Sequence, residues 1–343
     1  MRAKVTAGLL LMMFFLLGWA AYQFQVARSE PAITGAPLVI EINKGDSFKQ
    51  ITQKLVAKQA NISPLWFKAI ALSKGVVQKL KTGEYELAVG LTAPEILDLF
   101  VQGKTKQYAI TFPEGWAFKD WLQALAHNQN VLHTLANVDA AGALQILSAQ
   151  AKPVAGMPST ANMALEGLFF PDTYYFDKQT TDVALLLRAY DKMQQVLAQE
   201  WQQKLPALPI KTPYEALILA SIVEKETAVV NERPLIAGVF VRRLQTGMLL
   251  QTDPTVIYGM GEHYQGNITY KDLKTPTPYN TYVIKGLPPT PIAMPGREAI
   301  NAALHPVQGD ALYFVARGDG THVFSASLKD HNLAVDTFQR KRK

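Results

Sequence analysis

The longest apolar run of the chain lies near its N-terminus, from Val5 to Phe24, and contains no charged residue. Twenty helical residues span about 30 Å, which is the thickness of the hydrocarbon core of a bilayer. Arg2 and Lys4 precede the run, and flanking basic residues favour the cytoplasmic side. We therefore predict a single transmembrane anchor at residues 5–26, with a short cytoplasmic end at residues 1–4.

A cleaved signal peptide is the alternative for this run. Signal peptides have an apolar core of about 7–15 residues, which is followed by a cleavage site with small side chains. Here the run is longer and leads into Tyr22-Gln-Phe-Gln25, a poor cleavage site. With either interpretation, we expect the chain after Arg28 to lie outside the cytoplasm.

The pattern after the anchor predicts a tether at residues 27–37 and a small α+β module at residues 38–106. Its predicted elements are a strand at Leu38–Ile42, helices over 48–59 and from Leu65 to Leu72, a strand ending at Leu87, and a helix between Thr92 and Gly103. The order of strand, Gly-Asp-Ser turn and helix resembles the LysM module, which binds polymers of N-acetylglucosamine. An unspecialised α+β module is the alternative.

A larger α+β domain is predicted for residues 107–343. It begins with an alternating strand at Tyr108–Phe112, which a Pro-Glu-Gly turn joins to a helical stretch. A long helix over residues 182–204 has one polar face and is interpreted as a scaffold helix.

The helix that begins after Thr212 is predicted to be apolar on all sides and therefore buried. Thr212 and Glu215 form a capping-box signature, so the start of the helix is well defined. Between Ala216 and Val223, Ser221 is the only residue with a hydroxyl group.

Glu224 lies at the end of this helix, on the same face as Leu217 and Ser221. Burial and the negative end of the helix dipole both raise the pKa of a carboxyl at such a position. A carboxylic acid that stays protonated near neutral pH can act as a general acid, so we predict Glu224 as the acid–base residue. The alternative is that Glu224 pairs with a buried arginine or emerges into solvent, as Lys225 and Glu226 are expected to do.

Three further segments combine aromatic, amide and carboxylate side chains with prolines that stiffen the backbone, as sugar-binding clefts often do. Their candidate substrate-binding residues are Glu166, Gln251, Asp253, Thr255, Asn280 and Tyr282. Gln251, Asn280 and Tyr282 are hypothesised to hold N-acetyl groups and to stabilise positive charge on the sugar ring. Glu166 is the reserve candidate for the catalytic carboxyl. For Asp253 and Thr255, a purely structural role in a tight turn is the alternative.

The composition narrows the function classes. Apolar residues make up 48% and charged residues 18% of the chain, as in globular proteins, and the net charge is +6. This modest excess of positive charge is suited to binding anionic phospholipid headgroups or cell-wall polymer. The basic residues are spread along the chain, which disfavours nucleic acid as a partner. The chain has no cysteine, and its six histidines show no ligand spacing on a helix. We predict neither a metal nor a cofactor, and we expect the histidines to cap helices or lie at the surface.

Taken in order, the motifs of the larger domain resemble the YceG-like family of membrane-bound endolytic murein transglycosylases. The segments that carry this resemblance are EGLFFPDTYYF (166–176), LASIVEKET (219–227), ERPLIAGVFVRRL (232–244), QTDPTVIYGMG (251–261), YNTYVIKGLPPTPIAMPG (279–296) and ALYFVARGDGTHVFSASLKDHN (311–332).

The resemblance implies a location in the bacterial inner membrane, with the catalytic domain in the periplasm. It implies that Glu224 cleaves the β-1,4 bond between N-acetylmuramic acid and N-acetylglucosamine within nascent peptidoglycan strands. The cleavage is non-hydrolytic, leaves 1,6-anhydro ends and terminates strand elongation. Penicillin-binding proteins and other wall-synthesis enzymes are the implied partners.

Two other functions stay open at this point. One is a hydrolytic muramidase that uses Asp253 or Glu166 as a second carboxylate. The other is a non-catalytic factor that binds or assembles the cell wall through its LysM-like part.

Overall fold

Helix α1, Arg2–Ser29, contains the apolar run that was predicted as the membrane anchor. From Lys4 to Ser29 it is long and apolar enough to cross a membrane, and its most apolar window is not buried in the protein. This finding is consistent with a single-pass anchor.

The computed structural model describes residues 2–135, 138, 140–150 and 165–340. It mixes helices and strands and divides into two units. Unit 1 comprises residues 1–108 and 175–179, and unit 2 comprises residues 109–174 and 180–343.

Unit 1 contains four helices and two complete strands in its described part. They are α1, β1 (Leu38–Ile42), α2 (Phe48–Ala57), α3 (Pro64–Ser73), β2 (Gly83–Leu87) and α4 (Ala93–Gln102). Strands β1 and β2 pair antiparallel, with Leu38 opposite Leu87. The predicted boundaries of α2, α3 and α4 are confirmed within two residues. The Ser47 side chain caps the start of α2, and Gly103 ends α4 in a left-handed conformation.

The core of unit 1 forms where the helices cover the inner face of the β1–β2 hairpin. Phe67, Tyr85 and Phe100 are each at most 1% exposed. The Tyr85 and Phe100 rings pack edge to face with centroids 4.8 Å apart. Burial of these large rings contributes to the hydrophobic driving force that holds the helices and strands of unit 1 together.

Residues 27–37 differ from the predicted tether. Helix α1 continues to Ser29, and Ala32 and Ile33 are 2% exposed. The Ala32 N–H donates to the Leu91 carbonyl at 2.7 Å, and the Asn61 N–H donates to the Ala32 carbonyl at 2.7 Å. The segment is therefore packed into unit 1 by apolar burial and backbone hydrogen bonds, which its prolines and glycine did not reveal.

Unit 2 carries most of the helices, and the unit boundary runs through strands β3 and β5. The elements that follow α4 are β3 (Gln107–Thr111), α5 (Phe118–His127), β4 (Val131–Leu132), α6 (Ala140–Gln150), β5 (Thr173–Asp177), β6 (Thr180–Thr181), α7 (Asp182–Gln202), α8 (Pro213–Glu226), α9 (Arg233–Gln245), α10 (Asp253–Met260), α11 (Tyr270–Lys274), α12 (Arg297–Leu304), β7 (Tyr313–Ala316), β8 (His322–Ser325) and α13 (Leu328–Val335). In the described part, β3 pairs with β5, β4 with β6, and β7 with β8.

Helix α8 forms the centre of unit 2 and packs against α7, α9, α10 and α12. No residue from Ala216 to Val223 is more than 4% exposed. The predicted burial of this helix on all sides is confirmed. The Thr212 hydroxyl accepts the Glu215 N–H at 3.1 Å, so the predicted helix start is also confirmed.

Candidate active site

Two carboxyl groups, Glu224 and Glu226, end the buried helix α8. Residues two apart on a helix point about 200° away from each other. Since α8 has protein on all its sides, each of the two carboxyls enters a different environment. The neighbours of each decide what it can do chemically.

Glu224 is paired with a buried arginine, which is the alternative that the sequence left open. Its Oε1 accepts a hydrogen bond from Arg233 Nη2 at 2.8 Å, and the two side chains are only 5% and 6% exposed. Its Oε2 accepts the Gly296 N–H at 2.9 Å. Burial raises the pKa of Glu224, while the Gly296 hydrogen bond and the charge of Arg233 oppose that rise.

A second carboxylate, Glu114, completes this ion-pair cluster. Its Oε2 lies 3.3 Å from Arg233 Nη2. A side chain at Gly296 would displace the Glu114 carboxyl group. Both Glu224 oxygens are thus occupied by donors, and the group holds structure together. The interpretation of Glu224 as an unpaired carboxyl is wrong, and the alternative of a buried arginine partner is confirmed.

Glu226, expected to be a solvated residue, instead lines a cleft. The Thr252 hydroxyl donates a hydrogen bond to its Oε1. Burial raises the pKa of Glu226 to about 7. The Thr252 hydrogen bond and the interaction with His322 lower this pKa, while the charge of Asp253 raises it. A carboxyl that is about half protonated near neutral pH can donate a proton and later take one back.

The cleft has a volume of about 440 Å³, in the range of small-ligand sites. It combines the carboxyl groups of Glu226 and Asp253 with hydroxyl, amide, imidazole and aromatic groups. Its polar and aromatic lining consists of Glu226, Arg243, Gln251, Thr252, Asp253, Tyr282, Tyr313, Phe314, His322, His331 and Gln339. This is the mixture of hydrogen-bonding and stacking groups that a sugar chain requires.

Three of the predicted substrate-binding residues, Gln251, Asp253 and Tyr282, line this cleft. Tyr282 Oη donates to Asp253 Oδ1 at 2.6 Å. Gln251 has a positive φ of 50°, and its Oε1 accepts from Arg243 Nη1 at 3.3 Å. The structure brings these residues together around Glu226.

Asn280 and Thr255 are buried beneath the cleft and cannot contact a substrate. Asn280 is 1% and Thr255 0% exposed. The Asn280 amide donates to three backbone carbonyls and accepts the Tyr282 N–H at 2.9 Å. The Thr255 hydroxyl donates to the Thr252 carbonyl at 2.7 Å. The prediction of direct substrate contact is wrong for both, since their polar atoms hold the residues that line the cleft.

Glu166, the reserve candidate, lies in a separate buried position. It is 6% exposed, accepts the Phe118 N–H at 3.0 Å and accepts a hydrogen bond from Tyr258 Oη at 3.3 Å. Burial raises its pKa to about 7. Its contacts join α5 to α10 and do not include the residues around Glu226.

His322, expected at the surface or in a cap, belongs to the cleft as well. Its Nδ1 lies 2.7 Å from Glu232 Oε2, and its backbone N–H donates to Glu232 Oε1 at 2.9 Å. The sequence did not identify His322, Glu232, Glu226 or Thr252 as residues of the site. The quoted motifs already contained all four residues, but nothing in the chain order indicated which of their side chains meet.

The two carboxyls of α8 are expected to affect stability in different ways. Glu224→Gln removes the nearer of the two carboxylates that pair with buried Arg233 and leaves the more exposed Glu114 as counter-charge, a change that should cost up to about 3 kcal/mol of unfolding free energy. Glu226→Gln removes a carboxyl whose ionisation is disfavoured in the fold, so the thermal midpoint should stay unchanged or rise at pH 8. Thermal unfolding of the detergent-solubilised chain measures both. Equal losses of stability would contradict the distinction between a paired and an unpaired carboxyl.

Comparison with known proteins supports the family resemblance that the sequence motifs indicated. The model of the YceG-like family matches residues 40–337. The endolytic murein transglycosylase of Bacillus subtilis strain 168 is 39% identical over 174 residues, which is 51% of this chain and 48% of that protein. The endolytic murein transglycosylase of Streptococcus pneumoniae serotype 2 strain D39 is 30% identical over 280 residues, which is 75% of this chain and 50% of that protein.

The chain spans about half the length of the curated relatives it matches. The crystal structure of a YceG-like protein from Listeria monocytogenes superimposes with a TM-score of 0.54 and 28% identity, and the match covers 88% of this chain and 99% of that one. Since the family model spans nearly all of the sequence after the apolar helix, the chain belongs to the YceG-like family.

Proposed function

We propose that this chain is an endolytic murein transglycosylase in which Glu226 is the acid–base residue. The observation that carries the proposal is a carboxyl with a pKa of about 7 that lines a cleft with hydroxyl, amide and aromatic groups. The curated relatives named as endolytic murein transglycosylases support the substrate class. The substrate is then a peptidoglycan glycan strand, cleaved within the strand.

One carboxyl is sufficient for a non-hydrolytic cleavage. Protonated Glu226 gives its proton to the glycosidic oxygen as the bond from C1 of N-acetylmuramic acid to O4 of N-acetylglucosamine breaks. The C6 hydroxyl of the same muramic acid then attacks C1, and the Glu226 carboxylate takes the hydroxyl proton. The products are a 1,6-anhydro end and a free O4 hydroxyl, and Glu226 returns to its protonated form. Because the nucleophile is intramolecular, its effective concentration is high.

The neighbours of Glu226 have defined roles in this mechanism. Thr252 orients the carboxyl through its hydrogen bond, and burial, with a smaller contribution from Asp253, keeps the pKa high enough for Glu226 to carry a proton near neutral pH. Gln251 and Tyr282 are proposed to hold the N-acetyl groups and to stabilise the positive charge that develops at C1. Asp253 is itself occupied by Tyr282 Oη, an arrangement that disfavours Asp253 as the base of a hydrolytic muramidase.

Unit 1 is proposed to be a LysM-like module that binds N-acetylglucosamine polymers. Its support is the order strand, helix, helix, strand with antiparallel β1 and β2. The location proposed for the whole chain is the bacterial inner membrane, with α1 as anchor and the cleft in the periplasm. Wall-synthesis enzymes, including penicillin-binding proteins, are the proposed partners.

Product analysis with two matched variants tests the proposal. Wild type acting on uncrosslinked glycan strands should give internal fragments with anhydro ends, which weigh one water less than reducing ends. Glu226→Gln should lower the rate by about 10²–10⁴-fold, the usual contribution of a general acid–base residue. Glu224→Gln should still form anhydro ends at a temperature at which it remains folded.

Other outcomes of this mass-spectrometric assay decide against the proposal. Reducing ends from wild type would identify a hydrolytic muramidase. An inert wild-type protein that still binds peptidoglycan would identify a non-catalytic cell-wall factor. An inactive but folded Glu224→Gln beside an active Glu226→Gln would return the catalytic role to Glu224.

The pH dependence should follow the charges around Glu226. For wild type, kcat/KM should fall as pH rises through about 7, because the proton donor is then ionised. Asp253→Asn keeps an acceptor for Tyr282 but removes a negative charge, so the fall should move to lower pH. His322→Gln removes an imidazole whose interaction lowers the pKa of Glu226, so the fall should move to higher pH. Rates measured across this range check the prediction, and shifts in the same direction for both variants would contradict it.

A further inference from the structure

Helix α1 enters unit 1 without a break, and the contact begins inside the apolar run. Five positions at spacings of mostly three or four residues are partly covered, namely Ala20, Gln23, Phe24, Val26 and Ala27. Such spacing places them on one face of the helix. From Lys4 to Trp19 every position is exposed. Unit 1 therefore covers α1 from Ala20 onward, about one turn before the apolar run ends at Phe24.

Helix α3 lies at this covered face. The rings of Phe24 and Trp66 meet edge to face with centroids 6.3 Å apart. Phe24 and Ala27 also pack against the core of unit 1. Together with the backbone hydrogen bonds made by Ala32, these contacts prevent free rotation at the end of α1. The distance between unit 1 and the middle of α1, measured along the helix axis, is therefore fixed.

The outer face of α3 carries apolar side chains that the protein does not cover. Leu65 is 69% and Leu72 60% exposed, and Lys68 is exposed between them. Spacings of three and seven residues place all three on one side of the helix. Exposed leucines on the same helix face as a lysine are typical of a helix that lies in a membrane interface.

The charge of this part of the chain fits a lipid surface. Residues 38–108 contain ten lysines against six acidic residues. Basic segments next to a membrane span are attracted by anionic headgroups, with about 1 kcal/mol for each basic residue near the surface. The apolar surface of α1 is also continuous with α3 through the Phe24–Trp66 contact.

We propose that the start of α3 lies in the headgroup layer of the membrane that α1 crosses. Leu65 enters the acyl boundary and Lys68 lies beside lipid phosphates. The proposal rests on α1 being the membrane anchor. If a 20-residue span covers the hydrocarbon core, Phe24 marks its edge, and the α3 residues beside Phe24 lie at that depth.

Single-cysteine labelling tests the depth of α3, because the chain has no cysteine of its own. Leu65→Cys, Met12→Cys and Tyr175→Cys are labelled with an environment-sensitive fluorophore in the full chain. Tyr175 is the matched control, since it is also in unit 1 and is 63% exposed. Each variant is incorporated as one copy per nanodisc of phosphatidylcholine and phosphatidylglycerol. The nanodiscs also contain lipids that carry a nitroxide either near the headgroup or deep in the acyl chain.

We expect the shallow nitroxide to quench the probe at position 65 severalfold more strongly than the probe at position 175, and we expect the deep nitroxide to quench the probe at position 12. Lys68→Glu should reduce the quenching at position 65 when phosphatidylglycerol is present. Equal quenching at positions 65 and 175 would overturn the proposal while leaving the anchor intact. A blue-shifted but unquenched probe at position 65 would show that protein covers Leu65 and would also overturn it. Loss of deep quenching at position 12 would instead refute the anchor itself.

Discussion

Helix α8 is buried on all sides up to Val223 and then has to place two carboxyl groups that point in opposite directions. An ionised carboxylate in such a place is unfavourable unless it has a counter-charge or strong donors. The fold solves this differently for each group. Glu224 receives Arg233 and the Gly296 N–H, whereas the donor that Glu226 receives from the described part of the chain is the neutral Thr252 hydroxyl. The rest of the site depends on this asymmetry.

The paired carboxyl contributes to the site through the backbone that it fixes. Gly296 belongs to the proline-rich segment that returns to α8 after Tyr282. The same segment is held at Ile292, whose N–H donates to the Ser221 hydroxyl at 3.0 Å, and at Met294, whose N–H donates to the Trp116 carbonyl at 2.9 Å. Glu224 and Ser221, three residues apart on one face of α8, therefore act as two attachment points for one loop. This explains why a polar face is present on an otherwise apolar helix.

The sequence was sufficient for the helices and strands of residues 38–106, for α7 and α8, and for the family, but it could not distinguish Glu224 from Glu226. Caps at Ser47, Thr212 and Gly103 set helix ends locally, so they could be identified from neighbouring residues. On a helix that is apolar on every side, the periodicity does not show which face borders the cleft. Which of the two carboxyls lines the cleft therefore depends on partners that are distant in sequence. Arg233, Thr252 and His322 are such partners, and their positions follow only from tertiary packing. Asn280 and Thr255 show the same limit, because polar residues in a motif can serve the backbone as well as a ligand.

The pKa that suits Glu226 for proton transfer also reduces the stability of the folded state. Its value of about 7 lies above the ordinary value of 4.5, so between these two pH values the unfolded chain releases its proton first. The folded state then binds more protons than the unfolded state, and stability falls as pH rises through this window. Adding an arginine partner would reduce that loss, but it would also lower the pKa and so favour the ionised carboxyl, the direction in which Arg233 acts on Glu224. A proton donor on a buried helix thus requires an unpaired carboxyl, and the adjacent ion pair keeps α8 and its loop in place around it.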